Sequence, residues 1–175
     1  NTGVDLDAAF ESLLGDGFVT LSAEYRTREN TNRSDIDPRL GRVTSRFGDA
    51  DVDDLSLYLN AGKPLNDNWS AYGWYGYQKR EGSSAATYRT PTDATQNIIS
   101  VYPNGYLPLL KTKTEDHSAG VGLKGELAGF KTDVNLVYGK NTIDFNVANT
   151  LNPSLGPTSP HQFYAGQLAY DQLVF

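Results

Sequence analysis

The sequence predicts an all-β protein: an antiparallel up-and-down sheet that forms part of the wall of a transmembrane β-barrel. Apolar and polar residues alternate with a period of two along roughly seven segments, which is typical of strands with one polar and one apolar side. The connections between these segments are alternately short and long. The chain also contains 17 Gly, 11 Tyr and 7 Phe, a composition that favours strands joined by many turns.

The first predicted hairpin comprises residues 4–11 and 19–28. Apolar residues of its first strand fall on one side and acidic residues on the other: Val4, Leu6, Ala8 and Phe10 against Asp5, Asp7 and Glu11. Gly15 and Gly17 provide the intervening turn, because glycine tolerates the positive φ angles that hairpin turns require.

Two further hairpins and a final strand follow. The second hairpin joins residues 54–61 to 69–80 through a turn at 63–68, and aromatic residues on both sides of 69–80 leave its outward face open. The third joins 118–127 to 132–138 through Ala128-Gly129, and the last strand covers 165–175. The apolar positions change parity at 143–147, which indicates either a bulge or the point where the strand leaves the bilayer.

The lengths of the connections carry the membrane prediction. Residues 29–53, 81–115 and 149–163 form three long loops that alternate with the short turns. Outer-membrane barrels pair short periplasmic turns with long extracellular loops, whereas long loops are uncommon in compact soluble domains. We therefore expect an integral outer-membrane segment with these three loops extracellular and lipid around its wall. The alternative is a soluble β-sandwich.

Aromatic residues are expected to form an interfacial girdle near the strand ends: Tyr25, Tyr75, Tyr77 and Tyr138. The chain starts at Asn1 without a methionine and ends within an apolar alternating run, so we expect a fragment of a longer protein. No segment has the pattern of a signal peptide. A mean hydropathy of -0.49 does not separate a barrel from a soluble sheet, because only every second residue of a barrel strand is apolar.

Composition and motifs argue against several functions. A net charge of -6 makes nucleic acid an unexpected partner. His117 and His161 are far apart in sequence and lack neighbouring ligands, so no metal site is expected. No Gly-x-Ser-x-Gly motif occurs, and we predict no catalytic residue, no cofactor and no enzymatic activity. Glycines inside strands, such as Gly120 and Gly122, are expected to relieve crowding beside large aromatics or to let another part of the protein approach the sheet closely.

Four segments resemble the barrel of TonB-dependent receptors: GFVTLSAEYRTRENTNRSDIDPR (17–39), DDLSLYLNAGKPLNDNWSAYGWYGYQKREGSSAATYR (53–89), VYPNGYLPLL (101–110) and NTLNPSLGPTSPHQFYAGQLAYDQL (149–173). The resemblance implies that residues 1–175 are a segment of a 22-stranded barrel whose plug domain, TonB box and remaining strands lie outside it. It also implies TonB-dependent active uptake of a scarce nutrient, such as a ferric siderophore or an oligosaccharide. Implied partners are the TonB energy-coupling complex, the small nutrient ligand and a possible surface lipoprotein.

The candidate ligand-binding residues are basic or aromatic and lie in or next to the long loops: Arg26, Arg28, Arg80, Tyr88, Arg89 and Tyr102. Arginine offers a planar set of donors to carboxylates or phosphates, and aromatic rings stack on sugars or catecholates. The alternative is that the arginines only pair with acids of the wall, namely Glu24, Asp54 and Glu81. The alternative functions are a passive porin-like or structural barrel and a soluble all-β binding module.

Overall fold

The computed structural model describes residues 2–10 and 15–175 and contains one seven-stranded antiparallel sheet, in which each strand pairs with the next. The predicted all-β, up-and-down architecture is confirmed. The sheet is open in the described part of the chain, with β1 and β7 at its edges. Its strands are β1 (Thr2–Phe10), β2 (Phe18–Arg28), β3 (Asp51–Asn66), β4 (Trp69–Ala85), β5 (Leu109–Leu127), β6 (Phe130–Ala148) and β7 (Gln162–Val174).

The second and third predicted turns close their hairpins at one end of the sheet, which we name the turn end. The second turn is shorter than the predicted 63–68, because β3 continues to Asn66, and the connection of the first hairpin lies partly outside the described residues. Ala128 and Gly129 have φ angles of 54° and 83°, the positive pair that matches the twist of a two-residue hairpin. At the turn between β3 and β4, the Asn66 side chain accepts hydrogen bonds from the backbone N–H groups of Asn68 (2.9 Å) and Trp69 (3.0 Å). The three long loops lie at the opposite end, the loop end.

The predicted loop boundaries were wrong at the loop end. The loops are residues 29–50, 86–108 and 149–161, because β3, β4, β5 and β7 extend further than the alternation indicates. In the extension of β5, both sides are polar or charged, as in Lys111-Thr112-Lys113, so the period-two signal disappears although backbone pairing continues. Strand β1 begins at Thr2 instead of residue 4, and Glu11, its predicted last residue, lies outside the described residues.

The change of parity near residue 143 is not caused by a bulge in β6 against β5. These two strands pair without a shift from Leu109–Ala148 to Leu127–Phe130. The register of β6 shifts only against β7, where Phe145 pairs with Gly166 and the next residue, Asn146, pairs with Tyr164. The apolar side chains of β6 therefore move from one face of a continuous strand to the other.

The cross-strand register assigns every strand residue to one of two faces. We name the side of Leu57 the apolar face and the side of Ser56 the polar face. Strand β4, whose orientation the sequence left open, has Tyr75 and Tyr77 on the apolar face and Trp74 on the polar face. Neighbouring apolar-face residues include Ala23, Leu21, Leu57, Leu59, Ala119, Val121, Leu136 and Tyr138, while the polar face includes Ser22, Glu24, Ser56, Gln78, Asp116 and Ser118.

The described sheet is a single layer without a second layer packed on either face. Its buried apolar residues are few: Tyr106 and Leu151 lie in the loops and Ala148 at the end of β6. On the apolar face Leu6 is 67% exposed and Val121 61%. The only helical element among the described residues is the 3₁₀ segment Pro153–Thr158 in the third loop, and no helix there is long and apolar enough to cross a membrane.

Candidate functional site

The apolar side chains of the apolar face form a band. The limit of this band toward the loop end, which we name its upper edge, crosses the strands obliquely. The cross-strand row that contains Tyr25 on β2 reaches Lys79 on β4 and Thr142 on β6. The apolar-face tyrosines nearest the loop end of β4 and β6 are Tyr77 and Tyr138. The edge thus lies two residues nearer the turn end on β4 (79 − 77) and four residues nearer on β6 (142 − 138). It descends by one residue per strand.

This slope gives the inclination of the strands. With about 3.3 Å of rise per residue and about 4.8 Å between strands, a descent of one residue per strand inclines the strands by roughly 35° to the normal of the edge. Tyr25 lies near the end of β2, as the sequence predicts, whereas Tyr75, Tyr77 and Tyr138 lie further from the strand ends, because β4 and β6 continue to Ala85 and Ala148.

Polar residues begin immediately above the edge on the apolar face. Lys79 follows Tyr77 and Lys140 follows Tyr138 as the next residue on the same side of the strand. Further toward the loop end, Lys79 pairs with Glu81 at 2.6 Å and Lys113 with Glu115 at 2.9 Å. The boundary between apolar and charged side chains is therefore sharp.

Three of the predicted ligand residues come together on the polar face near the loop end. Arg26, Asp54 and Arg80 occupy one cross-strand row, and with Arg28 they line a cleft of about 250 Å³. Arg80 donates two hydrogen bonds to Asp54, from Nε to Oδ1 (2.6 Å) and from Nη2 to Oδ2 (3.0 Å). Asp54 is only 8% exposed.

The pairing of these arginines agrees in part with the alternative of wall ion pairs. Arg80 pairs with Asp54, and Arg26 Nε lies 2.9 Å from Glu24 Oε1. Glu81, the third acid considered, pairs with Lys79 instead. The assignment of a ligand to Arg26, Arg28 and Arg80 remains a prediction.

The other three predicted ligand residues lie in the second loop, and two of them join it to the first and third loops. Tyr88 accepts a 2.9 Å hydrogen bond from Arg42 of the first loop, whose guanidinium carbon lies 5.9 Å from the centre of the Tyr88 ring. Tyr102 Oη shares a 3.0 Å hydrogen bond with Nδ1 of His161 in the third loop. The backbone N–H of Arg89 donates to the carbonyl of Tyr106 (2.8 Å), and the backbone N–H of Tyr106 donates to the carbonyl of Arg89 (3.0 Å). Tyr88 and Tyr102 thus connect neighbouring loops.

The second loop has an ordered interior. The Tyr106 hydroxyl donates to the carbonyl of Gln96 (2.6 Å), and the Tyr106 ring centre lies 4.5 Å from that of Tyr102. The buried Asn97 side chain donates to the carbonyls of Pro91 (3.2 Å) and Tyr102 (3.0 Å). Side-chain bonds to loop carbonyls replace the pairing that a strand would provide.

Two aspartates fix turns in the loops. Arg39 donates to Asp37 from Nε (3.0 Å) and Nη2 (2.8 Å), and its backbone N–H adds a third bond at 3.0 Å. These bonds lower the pKa of Asp37 to about 2. In the second loop, hydrogen bonds from Thr95 lower the pKa of Asp93.

Sequence reasoning missed a group of aromatic residues on the polar face. Tyr72 and Trp74 lie over glycines of the next strand, since a Cβ atom at Gly120 would be 2.5 Å from Trp74 Nε1 and one at Gly122 would be 2.5 Å from Tyr72 Cζ. The expectation that these glycines relieve crowding beside aromatics agrees with this geometry. The sequence contains the glycines and the rings, but only the register places them opposite each other.

Neither histidine belongs to a cluster of metal-ligand type. His117 lies on the apolar face, where Nδ1 is 2.8 Å from the Tyr75 hydroxyl and its ring packs beside Tyr77. His161 contacts Tyr102. In the described ranges 2–10 and 15–175, no group of three His, Cys, Asp or Glu side chains could hold a metal ion.

Comparison with known proteins identifies no relative of this chain. No family model, no curated protein and no solved structure matches it. A functional proposal therefore rests on the geometry of the sheet and on the sequence resemblance.

The two single substitutions that break the Arg80–Asp54 pair should lower the free energy of unfolding by different amounts. Arg80→Gln leaves the Asp54 carboxylate buried without its cation, and we expect it to lower the free energy of unfolding by about 1–3 kcal/mol. Asp54→Asn should cost less, because Arg80 is half exposed and water can solvate it. Denaturant unfolding of the full-length protein measures both changes. The double variant is the control, and it should recover part of the loss; a larger loss for Asp54→Asn contradicts the assignment.

The first loop should respond to acid through Asp37. Its pKa is lowered relative to the ordinary 3.8, so its stabilising contribution is complete above that value and is lost as the pH falls through about 2. Carboxyl NMR titration should give a midpoint near 2, and Arg39→Gln should move it toward 3.8. Asp93, whose pKa is lowered by Thr95, is the internal control and should not move. An unchanged Asp37 midpoint in the variant contradicts this account.

Proposed function

We propose that the chain forms part of the wall of an outer-membrane β-barrel in a TonB-dependent receptor that actively imports a scarce nutrient. The observation that carries the barrel assignment is the oblique upper edge of the apolar band. Outer-membrane strands tilt by roughly 35–45° from the membrane normal, and the slope of the Tyr25–Tyr77–Tyr138 line corresponds to the lower end of that range.

The composition and height of the band fit a lipid-facing surface. On β4 its side chains run from Trp69 to Tyr77, a length of about 26 Å along the strand and about 22 Å along the normal of the edge at an inclination of roughly 35°. Outer-membrane barrels carry an apolar belt of roughly 25 Å bordered by aromatic girdles. A soluble sheet would leave side chains as exposed as Val121 in water, which is unfavourable for a large contiguous patch.

The open edges of the sheet fit a segment of a larger barrel. In lipid every backbone N–H and C=O group needs a partner within the protein, so spanning sheets are closed. On this proposal, further strands of a longer chain pair with β1 and β7. The polar face, with its arginine row, then lines the interior, and the connected loops lie outside the cell.

The receptor part of the proposal rests on the resemblance to TonB-dependent receptors. The loops and the Arg26, Arg28 and Arg80 cleft would take part in ligand capture, and energy from the inner membrane would reach a plug domain through TonB. The segment performs no covalent chemistry on this proposal. Its role is to enclose the transport path and to contribute to the ligand-binding surface.

Arginine substitutions at two adjacent residues test the orientation of the wall. Leu21→Arg places a charge near the middle of the proposed lipid face, four residues below Tyr25 on β2, and should make folding into lipid vesicles less favourable by about 2–4 kcal/mol. Ser22→Arg, its matched control on the polar face, should cost little. Folding is followed in the full-length protein by urea titration and by heat-modifiable mobility on denaturing gels.

The outcome separates the wall from a soluble module. In a soluble sheet, Leu21→Arg on an exposed face would be tolerated, and the protein would purify without detergent and show no heat-modifiable mobility. Equal effects of the two substitutions would contradict the assignment of faces.

Energy dependence tests the receptor assignment. Accumulation of the nutrient by cells should stop when the TonB gene is deleted or when a protonophore collapses the inner-membrane proton gradient, because the plug moves only with that energy. Uptake that continues unchanged would indicate a passive porin-like barrel. The coding sequence upstream of Asn1 should encode a plug and a TonB box, and their absence there would also contradict the receptor assignment.

A further inference from the structure

We propose that three aromatic residues of the polar face, Tyr58, Tyr72 and Trp74, form a binding surface for a neutral carbohydrate chain. We name them the aromatic strip. The sugar rings would stack on the exposed sides of the aromatic rings. This inference deepens the proposed function, on which it rests for the position of the polar face inside the barrel.

The rings of the strip lie against the sheet. A Cβ atom at Gly120 would meet three contiguous atoms of the Trp74 indole, Nε1, Cε2 and Cζ2, at 2.5 to 3.0 Å. At Gly122 it would meet Cζ, Oη and Cε1 of Tyr72 at 2.5 to 2.7 Å. Each ring therefore covers a glycine and occupies the space where a side chain of the next strand would otherwise stand.

The three rings keep part of their surface accessible, and Tyr72 and Trp74 are half-buried. Tyr58 packs beside Gly76 and remains 46% exposed. The Tyr58 and Trp74 ring centres are 6.4 Å apart with an interplanar angle of 24°, a spacing comparable to the length of one pyranose unit. Apolar C–H faces of sugars can stack on such surfaces, since the faces of aromatic rings carry partial negative charge.

The border of the strip offers uncharged hydrogen-bonding groups. Asn60 shares a cross-strand row with Trp74, Ser118 with Tyr58, and Asn135 with Tyr72. Amides and hydroxyls both donate and accept, as sugar hydroxyl groups require. Within the strip, the charged neighbours are Lys124, 5.8 Å from the Tyr72 ring centre, and Asp133, which accepts a 2.8 Å bond from the Tyr72 hydroxyl. They have opposite signs, so the border favours a neutral ligand over an anion.

A purely structural role of Trp74 can be distinguished from a role in binding by comparison with Trp69. Aromatic rings that cover glycines in a neighbouring strand stabilise sheets on either face. Trp69 does this on the apolar face, where a Cβ atom at Gly125 would be 2.5 Å from Trp69 Cδ2. Trp69 and Trp74 are the two tryptophans of the chain. Trp69 is therefore the matched control for Trp74: the same residue in the same packing arrangement on the opposite face.

The experiment measures carbohydrate affinity in the full-length protein in detergent. Isothermal titration uses maltohexaose, cellohexaose and xylohexaose as probes. We expect at least one to bind, Trp74→Ala to weaken its binding about three- to tenfold, and Trp69→Ala to leave the affinity unchanged. Gly120→Ala keeps every ring but displaces the Trp74 indole, and it should also weaken binding. Heat-modifiable mobility identifies folded variants, and Trp74→Phe replaces Trp74→Ala if the latter does not fold.

The outcomes are decisive in both directions. Absence of binding for all three hexasaccharides overturns the proposal, as does equal loss in the Trp74 and Trp69 variants, which would indicate a structural role only. Loss of stability in Trp74→Ala with unchanged affinity also overturns the proposal, because it would indicate a structural role of Trp74 only. Failure here leaves the Leu21→Arg result and TonB dependence intact, whereas hexasaccharide binding by a protein that fails those two tests would separate the strip from the proposed function.

Discussion

Backbone pairing between neighbouring strands in an almost uninterrupted register is the constraint on which the two faces depend. From β3 to β6 the register shifts only near Pro64, at the turn end. Because side chains alternate with a period of two, a slip of one residue would exchange the two faces of a strand. The oblique tyrosine line, the Arg80–Asp54 pair and the contact of Trp74 with Gly120 would all be lost together.

This register is not supported by a packed core in the described part of the chain. Tyr106 and Leu151, two of its few buried apolar residues, belong to the loops. A single sheet gains little from hydrophobic burial in water, so its apolar face needs another apolar medium to be stable. The proposed bilayer provides this medium, and the loop contacts through Tyr88 and Tyr102 add local order at the end that lies outside it.

The sequence contained enough information for the strands and turns but not for relations between strands. Alternation located all seven strands, and the positive-φ requirement located the Ala128-Gly129 turn. Alternation did not predict the β5 extension around Lys113, where both sides are polar. It also did not assign the two faces of β4, where both sides carry aromatics. The bond from Tyr102 to His161 spans 59 residues, and such contacts depend on which loops the register places side by side.

The two environments of β6 account for the change of parity that alternation alone could not explain. Below the edge, Leu136 and Tyr138 face the proposed lipid. Above it, Lys140 and Asp144 take the same side of the strand, while Ile143 turns to the polar face and pairs with Leu168 of β7. A strand that leaves a bilayer has no further need of outward apolar groups, and its inward side can then pack against the loops. The line through Tyr25 and Tyr77 reaches β6 at Tyr138, a few residues before the parity change, so both features agree on where the apolar band of β6 ends.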